Sequence, residues 1–158
     1  MKRLAWLALA LGISGCERGP TPGYLRLSGA APAIEAAPAT RGTLIVFWAT
    51  WCAPCVTETP GLVALAEDPP EDLGVVVLAR EQTQSELTKF FGGQPPAALN
   101  LRLDPDDGVG SKLGVEMLPV CFLAVEGQLV AKFTGARDWN SKPMRALLER
   151  LVRAGPAR

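Results

Sequence analysis

The chain has 158 residues, of which 48% are hydrophobic and 20% charged, with 16 basic and 16 acidic side chains and no histidine. This is enough for one domain with a real core, in a globular composition without the basic footprint of a nucleic-acid binder. The lack of histidine excludes a Ser-His or Cys-His catalytic pair, a His-ligated metal and an imidazole switch, so thiols, carboxylates and the backbone must carry any chemistry.

Residues 1–15 read as an address. Lys2 and Arg3 form a positive start, and residues 4–11 form an apolar run too short to span a bilayer comfortably. Ile13-Ser14-Gly15-Cys16 resembles a bacterial lipobox. That resemblance implies that Cys16 is lipidated and becomes the first mature residue, anchored in the cell envelope on the periplasmic or extracytoplasmic face. The plainer alternative is an ordinary secretory signal with an incidental cysteine. Losing residues 1–15 removes Lys2 and Arg3 and no acid, so the mature chain is slightly acidic. Residues 16–23 read as a tether broken by Gly19, Pro20, Pro22 and Gly23, and residues 24–158 as one domain.

Within that domain, Tyr24-Leu25-Arg26-Leu27 alternates weakly, as an edge strand does. Residues 28–41 are Ala/Pro-rich and read as loop, with one short strand expected near Ile34. Residues 44–48 are continuously apolar and β-prone, the pattern of a strand buried on both faces. A helix is expected over 56–66, kinked by Pro60. Residues 75–78 predict a second buried strand, and 85–91 a helix stopped by Gly92-Gly93. Alternation over 99–103 predicts a strand, followed by a turn at 104–108 and short helical turns over 109–113. Residues 120–125 and 128–133 read as a hairpin around Glu126-Gly127. A final helix is expected over 143–152 with Ser141 as its N-cap. The element order predicts an α/β fold, a central mixed β-sheet flanked by helices on both faces.

The chemistry concentrates where the first buried strand meets its helix, in Trp51-Cys52-Ala53-Pro54-Cys55. A thiol at a helix start meets unpaired backbone N–H groups and the positive end of the helix dipole, which favour the thiolate. Cys52, its sulfur expected to be exposed, is therefore the attacking thiol, and Cys55, three residues on, resolves the mixed disulfide. Pro54 suits the first helical turn, and Trp48 and Trp51 are expected to give apolar cover. Half of a zinc site is the bland alternative, but it needs two further ligands and there is neither a second cysteine pair nor a histidine.

The stretch Phe47-Trp48-Ala49-Thr50-Trp51-Cys52-Ala53-Pro54-Cys55 resembles the active site of thioredoxin-fold proteins, and Val56-Thr57-Glu58-Thr59-Pro60 narrows the likeness to the TlpA/ResA/CcmG-like thiol-disulfide oxidoreductases. Leu103-Asp104-Pro105-Asp106, Gly114-Val115, Leu118-Pro119 and Glu126-Gly127-Gln128-Leu129-Val130 fit the spacing of that family, so the resemblance covers roughly residues 40–152. It implies a thioredoxin-like fold, extracytoplasmic exchange with protein thiols and disulfides, a reductive direction as in cytochrome c maturation, an upstream membrane electron donor and no organic cofactor or metal. It implies a cis-proline at Pro119 against the cysteine pair and an acid, Glu58, near it. One turn after Cys55, Glu58 can carry the proton of a buried thiol; its bland reading is a solvated carboxylate. Val46 stands where cytoplasmic thioredoxins carry a buried aspartate, which makes Glu58 the better proton carrier. Leu118 departs from the small or β-branched residue usual before the cis-proline.

Cys121 is left over once Cys16 is lipidated and Cys52 and Cys55 pair. In an apolar strand it reads as a small core residue; its functional alternative is a third thiol trapping a mixed disulfide or a soft metal. A copper(I) carrier using Cys52, Cys55 and Met117 or Cys121 is the competing reading, since soft thiolates favour copper(I). Arg80-Glu81, after the second buried strand, reads as a solvated loop.

Overall fold

The computed structural model describes residues 23–34 and 38–156. The address segment, Cys16 and all of the tether except Gly23 lie outside the described residues. In chain order the elements are β1 (Leu25–Arg26), β2 (Gly42–Trp48), α1 (Ala53–Glu67), β3 (Leu73–Ala79), α2 (Gln84–Phe91), β4 (Arg102–Leu103), β5 (Val120–Val125), β6 (Gln128–Thr134) and α3 (Lys142–Ala154). They form a six-stranded mixed sheet in the order β1-β6-β5-β2-β3-β4. β2 lies inside it, parallel to β3 and antiparallel to β5.

That placement explains the uninterrupted apolar run. Leu44, Val46 and Trp48 face one core with Val75, Val77, Cys121 and Leu123; Ile45 and Phe47 face the other with Val76, Leu78 and Phe122. A strand with apolar cover on both sides has no solvent face to mark with polar residues. Helical cover is unequal. All three α-helices pack on the first face, through Leu62 and Leu65, Leu87, and Leu147, Leu148 and Leu151. The second face is covered by a 3-10 turn, Ser111–Leu113, and by Leu27, Ala31 and Ile34 of the N-terminal segment.

Several elements are positioned by local chemistry. Thr83 and Glu86 form a reciprocal capping box at the start of α2, and Gly92 ends it in the left-handed region. Glu126 and Gly127 take φ of 51° and 73°, the paired positive values that a two-residue hairpin turn needs. The N-terminal edge strand is only Leu25–Arg26, antiparallel to β6.

The structure corrects five local expectations. The strand expected over 99–103 is cut to Arg102–Leu103, because Ala97–Leu99 forms a 3-10 turn and Asn100 adopts a left-handed conformation. Alternation cannot report that reversal. Among the described residues no strand forms near Ile34, which packs as a side chain against the second core, while the nearby ladder contact is a single bridge from Ala30 to Gln128. Ser141 occupies the N-cap position of α3 without capping it; its hydroxyl donates to Asp138 O at 2.8 Å. Arg80-Glu81 is not a solvated loop. Glu81 is 2% exposed, and Arg80 donates to Asp107 Oδ1 at 2.7 Å and to Val115 O at 2.6 Å. α1 starts at Ala53, three residues before the expected 56, because Cys52 is itself the N-cap, and Pro60 leaves it one unbroken element.

Candidate active site

β2 ends at Trp48, and the chain turns through Ala49 to Trp51 before α1 begins. The turn is tied by Cys52 N–H donating to Ala49 O at 3.2 Å, and Val56 N–H then closes the first helical turn on Cys52 O at 3.0 Å. Cys52 has extended backbone angles and accepts a hydrogen bond at its sulfur from Cys55 N–H at 3.3 Å. Cys52 and Cys55 form a disulfide with a Cα–Cα separation of 5.2 Å. A helix N-cap whose capping atom is sulfur gives a departing thiolate a ready N–H partner.

The two cysteines differ in access: Cys52 is 6% exposed and Cys55 is fully buried. The expectation of an exposed attacking sulfur is therefore corrected to a narrow opening, with Cys52 on its outer side. Trp51 is corrected too. At 68% exposed it is largely in solvent, and Pro54 is likewise an exposed residue of the first helical turn. Trp48 supplies the cover. Buried, it donates from Nε1 to Cys55 O at 3.1 Å and to Thr59 Oγ1 at 3.0 Å, and its ring meets Phe90 edge-on and stacks with Phe91. One indole thus binds the end of β2 to the first turns of α1 and to α2.

The Leu118–Pro119 peptide bond is cis and Pro119 is buried. The register pairs Phe47 with Val120, which puts Pro119 across from the end of β2, at the end of the sheet where Cys52 lies. Pro119 O accepts from Gly135 N–H at 3.0 Å, joining this bend to the loop after β6.

That loop reaches Glu58. The carboxyl is 4% exposed, and its Oε2 accepts from Arg137 N–H and from Trp139 Nε1, each at 3.0 Å. Oε1 has no hydrogen-bond partner among the described residues. Burial pushes the Glu58 carboxyl up to about 7, against the opposing pull of the Arg137 amide, the Trp139 indole and the Arg137 guanidinium. It is therefore not a solvated helix carboxylate. A cleft of about 330 Å³, lined by Thr57, Glu58, Gly61, Ala136, Arg137 and Asp138, opens beside it.

Cys121 is free and 1% exposed, in the same core as the cysteine pair and paired with Val46 across the β2–β5 ladder. Burial pushes its thiol well above the ordinary range, and the neighbouring Glu58 charge adds to the rise. Among the described residues no group of three or more Cys, Asp or Glu is placed to hold a metal ion.

One residue of the site was not legible in the sequence. Glu81 Oε1 accepts from Thr50 N–H, inside the turn that delivers Cys52, and its Oε2 is buried without a partner among the described residues. The signal lies in the register: Trp48 pairs with Ala79, so residues just past the two strand ends must run side by side. Arg80 N–H donating to Trp48 O at 3.1 Å continues that pairing.

No family model matches the chain. Among curated proteins, it is 31% identical over 93 residues to the thiol:disulfide interchange protein HelX of Rhodobacter capsulatus, covering 58% of this chain and 51% of HelX. It is 29% identical over 97 residues to the thiol-disulfide oxidoreductase ResA of Bacillus anthracis, covering 60% of this chain and 56% of ResA. The match thus spans little more than half the length of either relative. Among solved structures, the exposed lipoprotein thioredoxin Etrx1 of Streptococcus pneumoniae superposes with a TM-score of 0.58 at 22% identity, over 71% of this chain and 86% of that one. The fold is thioredoxin-like, as in that solved structure, and the chain is similar in sequence to thiol:disulfide interchange proteins and thiol-disulfide oxidoreductases.

Proposed function

We propose that the protein is an extracytoplasmic thiol-disulfide oxidoreductase that uses Cys52 and Cys55 to reduce disulfides of protein partners. The observation that carries this reading is the disulfide at the start of α1, with Cys52 as N-cap and Cys55 N–H donating to its sulfur. The names borne by HelX and ResA support the reaction class. The reductive direction, a role like that in cytochrome c maturation and re-reduction by a membrane electron donor follow the ResA/CcmG likeness. Lipid attachment at Cys16 follows the lipobox, and the description of Etrx1 as a lipoprotein agrees with it.

The Cys52 thiolate attacks one sulfur of the partner disulfide, and the other leaves as a thiolate that takes a proton from solvent. Cys55 then gives its thiol proton to the Glu58 carboxylate and attacks the Cys52 sulfur. The partner's second thiolate departs, the Cys52–Cys55 disulfide forms, and two electrons have passed to the partner. A carboxyl poised near 7 both takes and returns a proton at neutral pH. The cis Leu118–Pro119 bend, at the same end of the sheet as the pair, is the surface on which an extended partner segment would lie.

Insulin reduction with the purified domain tests this. Cys52→Ser is expected to drop turnover to background while the circular dichroism spectrum stays native, and Cys55→Ser to accumulate a mixed disulfide. Turnover retained by Cys52→Ser would remove Cys52 as the attacking thiol.

A further inference from the structure

Glu58 is held in an unequal way. Both protein donors converge on Oε2: Arg137 N–H and Trp139 Nε1, each at 3.0 Å. Oε1 is buried with no partner among the described residues. An unpartnered buried acceptor is costly for a carboxylate, but it is the right atom for a proton, because a protonated carboxyl needs one oxygen free of N–H donors. The donors come from a braced loop. Gly135 N–H is tied to Pro119 O, the Arg137 guanidinium lies over the Phe133 ring at 5.5 Å and donates to Thr134 O, and the Trp139 ring meets Phe133 edge-on at 5.6 Å. Trp139 itself is fully buried.

We propose that the loop from Gly135 to Trp139 is a carboxylate clamp, in which the Trp139 indole and the Arg137 amide are positioning groups that fix Oε2 and make Oε1 the atom that receives the Cys55 proton. The inference rests on Glu58 being the proton carrier. The proton passes from Cys55 Sγ to Oε1, and it returns to solvent when the carboxyl ionises; Glu58 itself lines the 330 Å³ cleft that opens beside the loop. The titratable and charged groups around the carboxyl are Cys55, buried three residues earlier on the same helix, Cys121 on β5, and Arg137 and Asp138 on the loop. Trp139 is not titratable, so its effect on the pH profile is separable from theirs.

The experiment combines two readouts. The Trp139 indole N–H resonance of the wild-type protein is followed by NMR from pH 5 to 9, with Glu58→Gln as the control. The pH profile of insulin reduction is measured for wild type, Glu58→Gln and Trp139→Phe, the last keeping an aromatic ring and losing only the donor. The clamp requires the indole resonance to titrate near 7 in the wild type and to stay flat in Glu58→Gln. It also requires the Glu58-dependent limb of the profile to move up by about one pH unit in Trp139→Phe, because loss of a donor to the charged form favours the protonated one. An indole that does not sense the titration overturns the clamp even if Trp139→Phe fails to fold. A profile abolished by Glu58→Gln yet unmoved by Trp139→Phe overturns the clamp and leaves the proton role of Glu58 standing. A profile that Glu58→Gln does not change removes the proton role itself.

Discussion

At Glu58 burial and hydrogen bonding pull in opposite directions, and burial wins. The carboxyl rises from 4.5 to about 7, so between those values the folded protein holds a proton that the unfolded chain has released. Stability therefore falls as pH rises through this window; it is untouched below about 4.5 and carries the full penalty above 7. The penalty is on the order of 2–3 kcal/mol. Glu58→Gln removes it, so the variant is expected to gain on wild type as pH goes from 5 to 8, measured by urea denaturation at each pH; a constant difference would contradict the burial argument. Cys121 behaves differently. Its thiol is buried and driven away from the thiolate, so alkylation of the reduced protein at neutral pH is expected to label Cys52 and to spare Cys121 until the chain unfolds. The cysteine pair was legible because a motif fixes its spacing, and the same motif places Glu58 three residues after Cys55. Glu81 was not, because nothing in Arg80-Glu81-Gln82 distinguishes a buried acid from an exposed one. For Trp51 the sequence does not show how far the ring is exposed, because an aromatic beside a thiol is buried only when the backbone turns it inward, and here it is 68% exposed.

Among the elements, buried strands were the easiest to read and reversals the hardest. A run such as Leu44-Ile45-Val46-Phe47-Trp48 has few other homes, whereas the end of 99–103 as a strand depends on one left-handed residue, Asn100. The segment between β4 and β5 depends on Asp104, 7% exposed, which accepts from Val109 N–H and Gly110 N–H. That bracket sets up the Asp107–Arg80 ion pair and the Arg80 contact to Val115 O, and so steadies the residue next to Glu81. Asp104→Ala leaves two N–H groups without their acceptor and is expected to cost about 1–3 kcal/mol. A fall in the denaturation midpoint at unchanged slope is the expected signature. Asp104→Asn, which keeps one acceptor oxygen, should recover part of the loss, and equal losses for both variants would show that charge, not acceptance, is what the turn requires.

For the whole molecule the open quantity is the redox poise, and the packing of the site bears on it. A thiolate at Cys52 gains one N–H from Cys55 and the N-terminal end of α1, which favours the reduced form. Two features oppose this. Cys52 is only 6% exposed and Cys55 is fully buried, so little water helps either thiolate. Glu58, once ionised, adds a negative charge buried on the same helix as Cys55. A dithiol stabilised this weakly is expected to be oxidised readily, as the proposed reductive direction requires. Its reduction potential is expected near or below about −200 mV, with the strongly oxidising range near about −120 mV excluded. Equilibration in thiol buffers at pH 7, with Cys121 intact and replaced by alanine, measures it. Because Cys121 sits outside the pair and away from the thiolate form, the two proteins should agree. A potential near the oxidising value would reverse the direction of electron flow, and a potential that moves with Cys121 would make that thiol part of the redox centre.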